Sequence, residues 1–158
     1  MAPDVFSSLG YELPVSVPIF PLPSALLLPK GHLPLNIFEP RYLAMIDAAL
    51  ASSARLIGMV QPLEDDQLGD LQGQSVPGLF SIGCMGRITS FQETEDNRYL
   101  IALSGVCRFR LLGQQMQTEG FRNAEINWRE FQGDLEADTS NIDRQPLISV
   151  MKRYFKLK

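Results

Sequence analysis

Leu33-Pro34-Leu35-Asn36-Ile37-Phe38-Glu39-Pro40-Arg41-Tyr42 is the stretch that decides the fold, because it turns an extended run into a helix within two residues. Leu33 to Phe38 alternates apolar and polar positions, and its proline marks an edge strand or a strand end. Pro40 suits the first helical position, and Glu39 sits where the positive end of a helix dipole favours a carboxylate. Beyond it, Tyr42, Met45, Ile46, Ala49 and Leu50 recur at helical spacing, which predicts an amphipathic helix from Pro40 to Leu50.

Working back toward the N-terminus, residues 13 to 29 carry no charge, yet Pro14, Pro18, Pro21, Pro23 and Pro29 interrupt them. A membrane helix needs about 20 unbroken apolar residues, so these prolines exclude one and predict short strands at Val17–Leu22 and Ala25–Leu28. Lys30-Gly31 is the expected turn before Leu33. No Lys or Arg precedes Lys30, so a secretory leader of the usual kind is not expected and the expected compartment is the cytoplasm. Residues 1 to 14 read as a loosely held arm.

Toward the C-terminus, Arg55–Gln61 predicts a strand closed by Pro62, and residues 63 to 78 an acidic, breaker-rich loop. The D-x-[DN]-x-[DN]-G spacing of a calcium loop is missing there. The most β-rich part follows: Leu79–Gln92, Arg98–Leu112 and Phe121–Phe131, with Glu95-Asp96-Asn97 as a hairpin turn. Apolar residues fall on both faces of Tyr99 to Leu103, which predicts a strand enclosed by neighbours. Gly105 predicts a bend or bulge in it. After a polar segment from Asp134 to Asn141, a terminal helix over Asp143–Lys158 carries Leu147, Ile148, Met151, Tyr154 and Phe155 as a stripe, with Asp143 as N-cap. No repeat or low-complexity tract is visible.

Composition narrows the function. The 158 residues are 45% hydrophobic and 20% charged, with 14 basic against 18 acidic side chains and a net charge of −4. Such a length folds as one compact domain that buries roughly 70% of its unfolded surface without staples. A mildly acidic chain is a poor candidate for gripping phosphate backbones. The basic side chains are nonetheless skewed: residues 87 to 158 carry +1 and residues 1 to 86 carry −5.

Catalytic constellations do not emerge. Cys84, Cys107 and His32 are the only Cys and His residues, too few for a zinc site, and no CxxC pair exists. Both cysteines lie in apolar strand-like runs and are expected to be buried free thiols. No lysine follows a glycine as a phosphate-binding loop requires, and no G-x-S-x-G elbow serves His32. Glu64, Asp65 and Asp66 have no apolar pocket to separate their pKa values. The expectation is a non-enzyme without cofactor or metal.

Val17-Pro18-Ile19-Phe20-Pro21-Leu22-Pro23 followed by Leu33 to Tyr42 and the helix with Met45 resembles the start of the Lon protease N-terminal, or substrate-binding, domain. Ile82-Gly83-Cys84-Met85-Gly86-Arg87-Ile88 and Gly105-Val106-Cys107-Arg108-Phe109-Arg110-Leu111 resemble later family segments in the same order. The resemblance runs from about residue 17 to about residue 155. It implies an α+β, mainly β fold: a PUA-like pseudobarrel with a short helix after the first strands and a C-terminal helix. The division expected is an arm at 1–14, the pseudobarrel at 15–133, and at 134–158 a linker and the start of a helical subdomain, in a short or truncated member. The ATPase and Ser-Lys peptidase motifs of full Lon are not found in these 158 residues.

The implied role is therefore recognition of unfolded or damaged polypeptide, or adaptor work, with Phe38, Glu39, Arg41, Tyr42 and Arg108 as peptide-binding candidates. Against this stands a structural role, in which Glu39 and Arg41 pair with Arg108 or other charges to fasten the helix and Tyr42 lies in the core. PUA-like barrels also suggest RNA, through Arg87, Arg98, Arg108, Arg110, Arg122 and Arg129 if these share one face. The terminal helix offers a stripe for self-association.

Overall fold

A single 18-residue strand organises the molecule. The computed structural model describes residues 12–64, 68–71, 74–136 and 142–157. Its elements are β1 (Ser16–Pro21), β2 (His32–Ile37), α1 (Pro40–Ala51), β3 (Leu56–Val60), β4 (Leu68–Leu71), β5 (Gln74–Pro77), β6 (Ile82–Glu93), β7 (Tyr99–Met116), β8 (Arg122–Asn127), a 3-10 helix (Arg129–Leu135) and α2 (Gln145–Lys156). Strands run β2-β7-β6-β3-β1-β8, and β8 returns to pair with β7. The long β7 serves both ends: its first residues pair with β2 and the far end of β6, its last with β8. The ring β7-β6-β3-β1-β8 closes on itself, with β1 and β3 its parallel pair. This is a mainly β pseudobarrel, as expected.

The ring closes because its interior is filled. Phe109 is fully buried, and a Cβ on Gly58 or Gly83 would fall 2.8 or 2.6 Å from its ring tip. Two glycines thus make room for one phenyl ring. Val17, Ile19, Met85, Cys107, Ala124 and Ile126 complete this cluster, with Trp128 and Leu13. The second cluster lies under α1, where Tyr42, Met45, Ile46 and Ala49 pack on Phe20, Ile57, Met59, Cys84, Ile101 and Leu103. β3 is buried at all five positions because its two faces belong to the two clusters. Met45 and Ile46, both at 0% exposure, each contribute about 1.5–3 kcal/mol by burial.

Several local expectations need correction. Ala25–Leu28 forms no strand; Leu27 enters the core while Lys30 and Gly31 exchange backbone hydrogen bonds with Gly105 at 2.8 Å. The acidic segment at 63–78 holds the β4–β5 hairpin, with Leu68 opposite Pro77. Leu100 is 40% exposed, so only the Ile101 and Leu103 face of β7 is enclosed there. Phe121–Phe131 ends early as a strand, since residues 129 to 131 enter the 3-10 helix. The bulge predicted at Gly105 is present: Met85 pairs with Cys107 and Gly86 with Gly105, which leaves Val106 as the extra residue.

Residues 1–11 of the expected arm and most of the polar segment at 137–141 lie outside the described residues. At the arm's end, Leu13 is buried and Glu12 pairs with Arg129 at 2.7 Å. At α2, Arg144 occupies the N-cap and Asp143 accepts the Gln145 N–H at 3.0 Å. The whole apolar stripe of α2 is exposed, from Leu147 at 61% to Phe155 at 65%. Among the described residues, no helix is long and apolar enough to cross a membrane.

Candidate functional site

The turn from β2 into α1 sets the geometry of the candidate corner. β2 ends at Ile37, which faces the core, so alternation sends Phe38 outward, where it is 60% exposed with the Arg98 guanidinium 5.5 Å from its ring centre. Glu39 holds the N-cap in extended backbone conformation without a side-chain cap. Its carboxylate instead accepts Arg41 Nε at 3.0 Å and Nη2 at 2.9 Å. Pro40 starts the helix, as expected at a position whose N–H needs no intrahelical partner.

Tyr42 turns inward from the first turn of α1. Its ring centre lies 4.3 Å from that of Phe20, with the rings tilted by 49°, and the Arg41 guanidinium lies over the Tyr42 ring, 4.6 Å from its centre. Burial raises the Tyr42 hydroxyl pKa above the ordinary tyrosine range, with Arg41 partly offsetting it.

Arg108 is not part of this corner. Its side chain forks onto Asp134, Nε to Oδ2 at 2.9 Å and Nη2 to Oδ1 at 2.8 Å, and its backbone N–H donates to the same carboxylate at 3.0 Å. The guanidinium also stacks 4.8 Å from the Phe131 ring centre. These contacts fasten the 3-10 helix to β7, and the Arg108 hydrogen bonds hold the Asp134 carboxyl below the usual carboxylate range. Glu39 and Arg41 therefore pair with each other, since a two-residue separation across the N-cap brings them within reach, and the 3-10 helix supplies the acid for Arg108.

Beside Tyr42 opens a cleft of about 750 Å³, lined by Pro21, Pro23, Arg41, Tyr42, Pro62, Leu63, Glu64, Pro77 and Arg122. It gathers the end of β1, the start of α1, the segment after β3, the end of β5 and the start of β8. Tyr42 and Arg122 are buried at its floor, while Pro23, Arg41, Glu64 and Pro77 stand exposed at its rim. Arg122, one of the six arginines that RNA binding would need on one face, is buried.

Four other arginines of the β-rich half are ion-paired. Arg98 pairs with Asp96 at 2.9 Å, Arg108 with Asp134 at 2.8 Å, Arg110 with Glu130 at 2.6 Å and Arg129 with Glu12 at 2.7 Å. Cys84 and Cys107 are free and buried, in different core clusters, as expected. Burial pushes their thiols up to about 12 and about 11. Among the described residues, no group of three or more His, Cys, Asp or Glu side chains is gathered for a metal.

A closed strand ring, a helix laid over one side of it and a proline-walled cleft at the helix start define a β pseudobarrel with a cleft at a strand-to-helix corner. The chain belongs to the family described as the ATP-dependent protease La (LON) substrate-binding domain, whose model matches residues 16–157. It is 28% identical over 96 residues to Lon protease 2 of Sorangium cellulosum and 30% identical over 100 residues to the Lon protease of Desulfosudis oleivorans. These matches cover 61% and 63% of this chain but only 11% and 12% of those relatives. Among solved structures, a Lon N-terminal domain protein from Xanthomonas campestris aligns with a TM-score of 0.62 at 26% identity, covering 90% of this chain and 74% of that one. The N-terminal domain of a Mycobacterium avium complex Lon protease shares the fold at a TM-score of 0.60 and 16% identity, covering 90% of this chain and 70% of that one.

Proposed function

We propose that this chain is a non-catalytic recognition module that binds unfolded or damaged polypeptide, or presents it as an adaptor, at the cleft beside Tyr42. The observation that carries the proposal is the cleft itself: proline and leucine walls around a buried Tyr42 and Arg122, beside the first turn of α1. Apolar walls suit the side chains that an unfolded segment exposes, and a few placed polar groups orient it. Membership of the substrate-binding family supports the same assignment, because the matched segment is the part of those relatives named for substrate binding.

RNA binding is disfavoured because four of the six arginines it would use are ion-paired with carboxylates. For the exposed stripe of α2 we retain self-association as a separate proposal. We place the protein in a reducing cytoplasm, where Cys84 and Cys107 stay thiols.

The test is a titration of the intact chain with a fluorescently labelled, reduced and permanently unfolded protein, with ATP hydrolysis followed in parallel. Binding without nucleotide turnover is expected. Absence of binding, together with tight single-stranded RNA binding that falls steeply with salt, would reverse the assignment.

A further inference from the structure

The floor of the cleft holds a cation that pairs with no carboxylate among the described residues, although Glu64 lines the rim of the same cleft. Arg122 is only 8% exposed. Its Nη1 donates to the Pro77 carbonyl at 3.2 Å and to Gln114 Oε1 at 3.0 Å, both neutral acceptors. Among the described residues, no carboxylate forms an ion pair with it, and Nε and Nη2 donate no hydrogen bond. Burial lowers its pKa, with Tyr42 opposing and Arg41 reinforcing that shift, yet a guanidinium stays protonated at any physiological pH. A buried charge held by neutral groups alone is unfavourable until an anion completes it.

The walls restrict what that anion can be attached to. Pro21, Pro23, Pro62 and Pro77 have no N–H to offer, and the Leu63 N–H is already bonded to the Gly78 carbonyl at 2.8 Å. Side-chain donors toward the cleft are therefore those of Arg41, Arg122 and Tyr42. A ligand that fits must bring apolar surface for the proline rings and a negatively charged acceptor for the guanidinium, which matches a carboxylate in planar geometry.

We propose that the cleft recognises an internal Asp or Glu side chain within an apolar stretch of unfolded polypeptide, with Arg122 as the carboxylate receptor at its floor. This rests on the polypeptide-binding function proposed above and specifies its substrate class. An internal residue is assigned, rather than a chain end, because the rim at Pro23, Glu64 and Pro77 is exposed and lets a chain run across.

The experiment measures fluorescence anisotropy of labelled, unstructured peptides sharing one apolar sequence, with Glu, Gln or Lys at the centre and an amidated C-terminus, on the intact chain. The Glu peptide is expected to bind about tenfold more tightly than the Gln peptide, and the Lys peptide more weakly than either. In Arg122→Gln the Glu-to-Gln ratio should fall to about one, while Arg122→Lys should keep part of it. Should Arg122→Gln fail to fold, the ratio on the unmodified protein still decides. Equal binding of the Glu and Gln peptides overturns the inference and leaves polypeptide recognition standing. A Gln peptide with a free C-terminal carboxylate that binds as tightly as the Glu peptide overturns the assignment to an internal residue. No binding by any peptide overturns both.

Discussion

Gly105→Ala tests whether the docked strap from Leu27 to Gly31 is what the proline-cut N-terminal segment contributes to the fold. A Cβ at position 105 would stand 2.0 Å from the Leu28 carbonyl oxygen and 2.8 Å from its carbon. Ordinary C···O contact is roughly 3.3 Å, so the strap must retreat by about 1.3 Å. That retreat breaks the hydrogen bonds from Lys30 N–H to the Gly105 carbonyl and from Gly105 N–H to the Gly31 carbonyl, both 2.8 Å long. Two lost hydrogen bonds cost about 1–3 kcal/mol, and partial withdrawal of Leu27, now 3% exposed, adds about 1 kcal/mol. Relief of glycine's unfolded-state entropy returns about 0.5 kcal/mol. The expected net loss is about 1.5–3.5 kcal/mol. Gly113→Ala is the matched control on the same strand, since its Cβ would meet nothing within 4 Å. It should be neutral or slightly stabilising. Urea unfolding read by the fluorescence of Trp128, the single tryptophan, separates them by about 0.75–1.75 M in midpoint at a slope of about 2 kcal/mol/M. Midpoints within about 0.3 M of each other would refute the close-approach account.

Two further outcomes follow from the site and the core. Arg41→Ala removes an ion pair whose side chains are 52% and 44% exposed, so stability should fall by no more than about 0.5 kcal/mol while affinity for unfolded polypeptide falls about fivefold. Thermal melting beside anisotropy decides this, and a large loss of melting temperature with unchanged affinity would return the corner to a purely structural role. The thiols of Cys84 and Cys107, raised to about 12 and about 11, should not react with a thiol reagent at pH 8 until urea unfolds the chain. Their folded pKa values exceed the unfolded one, so their contribution is complete below about pH 8.5 and is lost as pH rises toward 11 to 12. Stability constant from pH 8 to pH 11 would contradict that sign.

The elements that periodicity carries were readable because burial and spacing agree there. α1 buries Tyr42, Met45, Ile46 and Ala49, which is the stripe that the sequence shows, and β2, β3, β6 and β7 sit where alternating or continuous apolar runs place them. Ala25–Leu28 looks the same by composition, yet it forms no strand: the chain just after it, at Lys30 and Gly31, bonds to Gly105 beside the bulge in β7, far away in sequence, and nothing local announces it. The acidic stretch at 63–78 reads as a loop because Asp, Glu, Gly and Pro favour turns, but backbone pairing of Leu68–Leu71 with Gln74–Pro77 overrides that preference.

Arg122 was legible in principle. Counting back by twos from Ile126 and Ala124, both buried on β8, the alternation arrives at Arg122 on the same inward face, whereas Glu125 and Asn127 are exposed. Grouping it with Arg108 and Arg110 by charge alone passes over its register. Those two arginines stand opposite acids from the 3-10 helix, and each is about half exposed, so their charge is answered locally. Arg122 has the same chemistry at a largely buried position on the cleft floor, where its hydrogen-bond acceptors among the described residues are neutral oxygens. The position is thus costly for folding in a way that a Met or Leu of similar length would not be. In the proposed complex a carboxylate brought by the bound chain offsets that cost, and it does so only there, so the buried arginine is assigned, by that proposal, to selecting substrate rather than to holding the barrel together.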